Sequence, residues 1–424
     1  MTSVLLKSGR DHFPNTIKHF GDRDIVFRKG IYPYEYCKDE FVFELAELPP
    51  KEAFHSKLNE TDITDADYAS AQQAWRIFNC QTFKDYHDHY MTSDVLLLAD
   101  VFENFRDISL TNFGLDPAHY YTLPGLAWDS ALKQTGVKLS LMSDIDMHLF
   151  IENNIRGGIS MISERYAKAN NKYLIDEPFD PTKPTSFIQY LDMNGLYSTV
   201  MSRFNLPVSD FKFWTADEIK DGLDVTKIGE DSETGYILEV DIEYPESLHE
   251  LHSMYPLAVD KLTVTDAMLS PYALSFTDRP RPTEKLVPNL MNKSHYVVHY
   301  MNLKLYLQLG LRVTTTHRVL EFKQEAWIRP FVNHCTNMRK QSIDEFSKSF
   351  WKLVVNAVYG KSMENLRNRV DVRLISKRLP ASKVAAKPQF VTSRIINDDL
   401  VMMQQLKGMI TMNRPIYTGF CILE

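Results

Sequence analysis

The sequence predicts an α+β fold divided between domains, and three observations carry that expectation. Helical and strand-like segments are mixed without the strand–helix–strand regularity of a parallel α/β sheet. The chain has 424 residues, more than one hydrophobic core usually serves. Its composition, 44% hydrophobic and 24% charged, excludes wholesale disorder, a collagen-like fibre and a membrane-embedded protein.

Taken in order, the first 150 residues read as mostly helical. Residues 65–78 place apolar side chains at helical spacing behind an acidic start. Residues 94–105 predict a second helix with Val95, Leu98, Ala99 and Phe102 on one face, and residues 144–152 a third. A stretch with proline and lysine at 180–185 then breaks the pattern. It precedes a short strand-like run, 187–191, that ends in Asp192. Further strands are expected at 235–244 and 415–423, and helices at 296–309 and 330–359.

Charge narrows the function classes. Lysine and arginine minus aspartate and glutamate is 48 − 55 = −7, so a uniformly basic nucleic-acid coat is excluded. The balance is local, however. Residues 38–104 and 217–250 are acidic, while residues 323–394 hold 15 basic against 5 acidic side chains, which leaves room for an anionic ligand there. Cys37, Cys80, Cys335 and Cys421 stand far apart, as suits a reducing compartment rather than a disulfide scaffold or zinc finger. The apolar runs fall well short of the ~20 residues a bilayer needs. No signal or transit peptide is visible, so a soluble intracellular protein without a membrane partner is expected, in nucleus or cytoplasm.

Three stretches carry chemistry. The first is Asp192-Met193-Asn194-Gly195-Leu196-Tyr197-Ser198, a carboxylate before an Asn-Gly turn. Alone it fits a turn-capping aspartate as well as a ligand for Mg²⁺, which takes hard oxygen donors. The second runs from Lys352 to Lys361 and includes Asn356, Tyr359 and Gly360. Lys348 and Lys352 share a helix face and, with Lys340, form a basic arc suited to a triphosphate, although an amphipathic surface helix looks the same. The third is Arg156-Gly157-Gly158, where paired glycines let backbone amides approach a phosphate or simply turn the chain.

Together these stretches resemble the motifs of family B DNA polymerases. Asp192 to Ser198 resembles motif A, DxxxLYP, and Lys352 to Gly360 resembles motif B, KxxxNSxYG. The match is closer to the protein-primed branch of phages, linear plasmids, adenovirus-like viruses and transposons. Arg156-Gly157-Gly158 resembles its YxGG motif with Ile155 at the tyrosine position, and Tyr90 with Asp94 resembles the YxxxD exonuclease motif.

The resemblance implies a DNA-directed DNA polymerase that adds dNTPs to a DNA 3′ end by phosphoryl transfer with two Mg²⁺ ions. It implies Asp192 as the catalytic metal ligand, and Tyr197 as the sugar gate with Leu196 beside it. Lys340, Lys348 and Lys352 would neutralise the triphosphate, and Asn356 and Tyr359 would frame the new base pair. Arg156, Gly157, Gly158, Gly360 and Lys361 would contact DNA, leaving Tyr90 and Asp94 as an exonuclease remnant. Its partners would be template-primer DNA, dNTPs and a priming terminal protein.

The resemblance also implies a division of the chain. Residues 1–150 would be a truncated RNase H-like exonuclease domain. Residues 151–424 would be a partial polymerase domain: palm 151–322 with a priming-protein insertion at 258–322, fingers 323–372 and a return to the palm at 373–424. Ser198 replaces the proline of motif A and Ala357 the serine of motif B. The first two exonuclease motifs and the YxDTDS of motif C have no convincing copy, so the chain alone is expected to extend DNA poorly. Asp241 and Glu243, on one face of the 235–244 strand, are the nearest substitutes for the second acid and read better as solvated residues. A decayed remnant that only binds DNA or nucleotide is the alternative, and a helical scaffold with fortuitous motifs the third.

Overall fold

The computed structural model describes residues 2–175, 178–276 and 284–424. The chain divides into two compact units, Met1–Gln134 with His334–Val355, and Thr135–Asn333 with Asn356–Glu424.

The first unit is helical. The helix Asp65–Ile77 forms as expected, with Thr64 accepting from the Asp67 N–H at its start. The segment 94–105 is part of a longer helix, Phe83–Phe113. Asp85 accepts from the N–H of Thr82 (2.9 Å) to fix its start, and Gly114, at φ +62°, closes it in the left-handed conformation that favours glycine.

The phase of this helix differs from the expected one. Leu97 and Val101 pack with Leu5, Phe13, Phe27 and Phe346, while Val95 and Leu98 are 58% and 67% exposed. The run from Val95 to Phe102 is apolar nearly all round, so spacing alone does not select a face. Asp100, fully buried on the packed face, selects it. Its carboxylate accepts from the backbone N–H groups of Asn15 (3.0 Å) and Thr16 (2.9 Å) and from both their side chains (2.8 and 2.7 Å). Asn15 and Thr16 open the helix Pro14–Phe20, so Asp100 satisfies N–H groups that a helix start leaves without partners.

The second unit holds the nine described strands: β1 (Leu206–Phe213), β2 (Thr234–Glu243), β3 (Asp260–Thr263), β4 (Glu284–Val287), β5 (Lys293–His299), β6 (Arg312–Glu325), β7 (Val370–Ile375), β8 (Phe390–Asn397) and β9 (Leu400–Leu406). An antiparallel sheet runs β1-β6-β2-β5. Alternation along β2 sends Leu238, Val240 and Ile242 into a core with Tyr296, Val298, Val319 and the helix Tyr300–Gln308, and sends Glu239 and Asp241 to the opposite face. The region 296–309 is therefore part strand and part helix. Within 258–322, β3 pairs with β4, and residues 277–283 lie outside the described residues. Residues 370–406 form a sheet of their own, ordered β7-β9-β8.

Two expected strands do not form. Residues 187–191 have no regular secondary structure and belong to no described sheet, and Tyr190 and Leu191 are 97% and 82% exposed. A strand needs a neighbour for its N–H and C=O groups, and among the described residues this run has none. Residues 415–423 instead give the helix Ile416–Leu423, buried along its length. A continuous apolar run does not distinguish a buried strand from a buried helix, and packing decides. Tyr417 donates from its hydroxyl to the Ser140 carbonyl (2.7 Å) and lies 4.5 Å from the Phe211 ring, centroid to centroid.

The region 330–359 forms two helices, Arg329–Gln341 and Glu345–Ser362, separated where Asp344 accepts from the Ser347 N–H (2.8 Å) and caps the second.

Candidate functional site

The site is built around two helix segments of the second unit. Gly195 stands at φ +62°, before the helix Leu196–Arg203. Its left-handed conformation lets the chain turn directly from Asp192 into that helix. Leu196 and Tyr197 thus occupy the helix's first turn and remain 52% and 40% exposed. Asp192 is exposed, and among the described residues no cation or donor engages its carboxylate.

The second segment is the end of the helix Glu345–Ser362. Tyr359 is half-buried, and its ring stacks on that of Tyr197 with centroids 4.4 Å apart and planes 23° from parallel. Burial, reinforced by Tyr197, raises the Tyr359 hydroxyl above its ordinary pKa. Asn356, one turn earlier, is exposed, as is Gly360, where an added Cβ would meet open space. The structure therefore brings the tyrosines of the two motifs together, with the amide and the glycine in line beside them.

Lys340, Lys348 and Lys352 belong to the first unit. Lys340 and Lys352 are exposed and carry no carboxylate partner among the described residues. Lys348 pairs with Glu345 (2.8 Å) one turn back.

Gly157 and Gly158 line a cleft with Leu196, Tyr197, Tyr300 and Lys304, about 1590 Å³ with its open mouth included. Arg156, expected to contact DNA with these glycines, has a largely buried side chain. Its guanidinium is buried against Glu424 (2.8 Å), donates to the Val297 carbonyl and lies 4.1 Å over the Tyr296 ring. A guanidinium so engaged holds the chain beside the glycines in place rather than reaching outward.

Other expected residues have structural partners. The Tyr90 ring stacks on Tyr32 (4.7 Å), and its hydroxyl bonds that of Tyr34. Asp94 is exposed one turn along, and among the described residues no group of three His, Cys, Asp or Glu side chains converges as a metal site. Asp241 accepts from the His295 N–H (2.8 Å) and lies 2.9 Å from His317 Nε2, and these two interactions, in that order, lower its pKa. Glu239 is taken up by His295 and Arg318. The acids of β2 are thus met by bases on β5 and β6, while Glu243 stands 3.7 Å from Arg312.

Sequence reading named Lys361 but not the cluster to which it belongs. Lys361 (2.8 Å), Arg369 (2.7 Å) and Arg414 (3.1 Å) converge on the carboxylate of Glu364. The spacing of Lys361 and Glu364, three residues apart, is a visible signal, whereas nothing in sequence points to Arg414.

Comparison with known proteins decides the family. Residues 24–372 match the family described as DNA polymerase type B, organellar and viral. The chain belongs to that family. Among solved structures, this chain is similar to Phi29 DNA polymerase complexed with primer-template DNA and incoming nucleotide substrates (TM-score 0.42, 12% identity, 92% of this chain and 53% of that chain). It is also similar to the orthorhombic crystal form of Phi29 DNA polymerase (0.41, 13%, 92% and 53%) and to its primer-template binary complex (0.41, 13%, 92% and 52%). The chain spans about half the length of these structures. A search of curated proteins gives no match. No helix among the described residues is long and apolar enough to cross a membrane.

Proposed function

We propose that this chain supplies the nucleotide-selecting part of a DNA-directed DNA polymerase of the protein-primed type. It would act in template-directed addition of dNTPs to a DNA 3′ end during replication of a virus or mobile element. The observation that carries the reading is the stack of Tyr197 on Tyr359, which joins a motif A residue to a motif B residue within one unit. A flat, half-exposed aromatic surface beside a cleft suits a nucleotide sugar, and the Tyr197 ring would sit under that sugar and exclude a 2′-hydroxyl. Asn356 and Tyr359 would then face the base pair, with Gly360 leaving the template a clear path. Lys340, Lys348 and Lys352 would neutralise the triphosphate, and Gly157 and Gly158 would present backbone N–H groups to template phosphates, braced by Arg156.

Asp192 is the residue assigned to Mg²⁺. A hard oxygen donor, exposed and without a competing cation, fits that ion, which typically takes one or two carboxylates plus substrate phosphates. Bound there, the metal would offset charge on the phosphoryl oxygens of the displacement. Asp192 joins no group of three potential ligands among the described residues, and this favours a second reading in which the chain binds nucleotide and DNA without extending a primer.

Equilibrium binding of dATP and ATP in the presence of Mg²⁺ tests the first reading. The wild-type chain should prefer dATP, and Tyr197→Ala should narrow the preference by roughly ten- to a hundredfold, the range expected for discrimination of one hydroxyl. Equal discrimination by both proteins would remove Tyr197 from the site. Primer extension separates the two readings: incorporation abolished by Asp192→Ala supports the enzyme, and binding without incorporation supports the remnant.

A further inference from the structure

We propose that Lys361, Arg369 and Arg414, gathered on the single carboxylate of Glu364, form a cradle for a backbone phosphate of DNA. The proposal rests on the DNA-binding reading above and adds to it two cations and a positioning residue.

Geometry comes first. Arg369 approaches Glu364 in bidentate fashion, through Nε (2.9 Å) and Nη2 (2.7 Å). Arg414 donates through Nε (3.1 Å), and Lys361 approaches through Nζ (2.8 Å). Arg369 Nη1 and Arg414 Nη2 have no acceptor among the described residues, so both guanidiniums keep a donor for another oxygen. The side chains of Lys361, Arg369 and Arg414 are 17%, 32% and 17% exposed, which leaves them within reach of a ligand while strengthening their fields by partial desolvation.

Charge comes second. Three cations on one carboxylate leave a surplus of 3 − 1 = +2 in one spot. A purely structural network would balance its charges, because holding unmatched ions in a partly desolvated place is costly. Its neighbour does balance: Arg367 is matched by Glu152 in a bidentate pair (3.0 and 2.8 Å). The surplus at Glu364 therefore points to an anion from outside the chain. Each phosphodiester carries one negative charge, so one or two consecutive phosphates match the surplus, whereas a triphosphate exceeds it. The planar fork of arginine also suits a phosphodiester's paired oxygens.

Position comes third. Lys361 follows Gly360 directly and lies in the same helix end as Asn356 and Tyr359. A strand held at Glu364 would thus pass close to the exposed amide and the open glycine.

The test is binding of a fluorescent primer-template duplex to the chain across a salt series, with dATP titrated in parallel. Arg369→Gln/Arg414→Gln should bind DNA more weakly and reduce the slope of log K against log salt by about 0.9 for each phosphate no longer neutralised. Arg369→Lys/Arg414→Lys, which keeps the charges, should retain most of the slope. Glu364→Gln discriminates further. It makes the cluster more positive, so charge alone predicts tighter binding, whereas loss of the common anchor predicts weaker binding, which is the expected result.

An unchanged slope in the glutamine double variant, or tighter binding by Glu364→Gln, would overturn the cradle while leaving the polymerase reading in place. Loss of dATP binding in place of DNA binding would reassign the cluster to a triphosphate and overturn the DNA assignment. A wild-type chain that binds no duplex would defeat the functional reading itself, and the cradle with it.

Discussion

The ring of Tyr197 rests on the ring of Tyr359, 4.4 Å away and 23° from parallel, and this stack ties the helix Leu196–Arg203 to the end of the helix Glu345–Ser362. Aromatic pairs of this kind contribute about 0.5–1.5 kcal/mol beyond the area they bury. In urea unfolding, Tyr197→Leu and Tyr359→Leu should therefore be non-additive, with a coupling energy of roughly 1 kcal/mol in a double-mutant cycle. Tyr359→Leu alone should also relax discrimination against ribonucleotides, because Tyr197 loses its backing. Additive costs with unchanged discrimination would mean that the rings touch without supporting each other.

Asp100 should be the most sensitive polar position of the first unit. Its carboxylate receives four hydrogen bonds at the start of the helix Pro14–Phe20 and has no exposure. Asp100→Asn turns one acceptor oxygen into a donor facing donors, at an expected cost of roughly 2–4 kcal/mol. Asn15→Ala, which removes only one side-chain bond, should cost about 1 kcal/mol. Similar costs for the two variants in chemical denaturation would show that Asp100 is merely packed there.

These two sites show how unequally the molecule is legible in its sequence. Thr64 before Asp65 and Asp144 before Ile145 are local cap signals, and the helices they start could be read directly. The phase of the Phe83–Phe113 helix could not, because it depends on Asn15 and Thr16, more than eighty residues away. The run 187–191 has strand composition but no strand beside it among the described residues, and composition does not supply a partner. The spacing of Asp192, Tyr197, Asn356 and Tyr359 was visible at once. The fate of Arg156 was not, since Glu424 and Val297 claim it through interactions that only the fold creates.

Acid sensitivity should be traceable in part to His299. Burial pushes its imidazole down to about 3, so the folded chain keeps it neutral across the mildly acidic range. In the unfolded chain the same group takes a proton below about 6.5. The unfolded state then binds more protons, and stability falls as pH drops from about 6.5 towards 3, by up to about 1.4 kcal/mol per pH unit for one fully linked proton. His299→Leu removes this linkage, and His299 Nε2 has no hydrogen-bond partner to lose. Urea unfolding at pH 7, 6, 5 and 4 should show the variant gaining on the wild type at each step. Parallel pH profiles would assign the acid loss to other groups.

Gly419 links the buried helix Ile416–Leu423 to the end of the helix Glu345–Ser362. A Cβ there would stand 1.9 Å from Met363 Cγ, 2.5 Å from its Sδ and 3.0 Å from Ser362 Oγ. Gly419→Ala must therefore displace Met363, and overpacking of this kind costs about 1–3 kcal/mol. Met363→Ala should recover part of that loss, a favourable coupling that a double-mutant cycle would detect. Met363 directly follows the helix Glu345–Ser362, which carries Asn356 and Tyr359. Displacing it should also disturb the Tyr197–Tyr359 stack and weaken dNTP binding. A Gly419→Ala chain that melts early yet binds dNTP like the wild type would confine the effect to packing and show that the end of the helix Glu345–Ser362 tolerates movement.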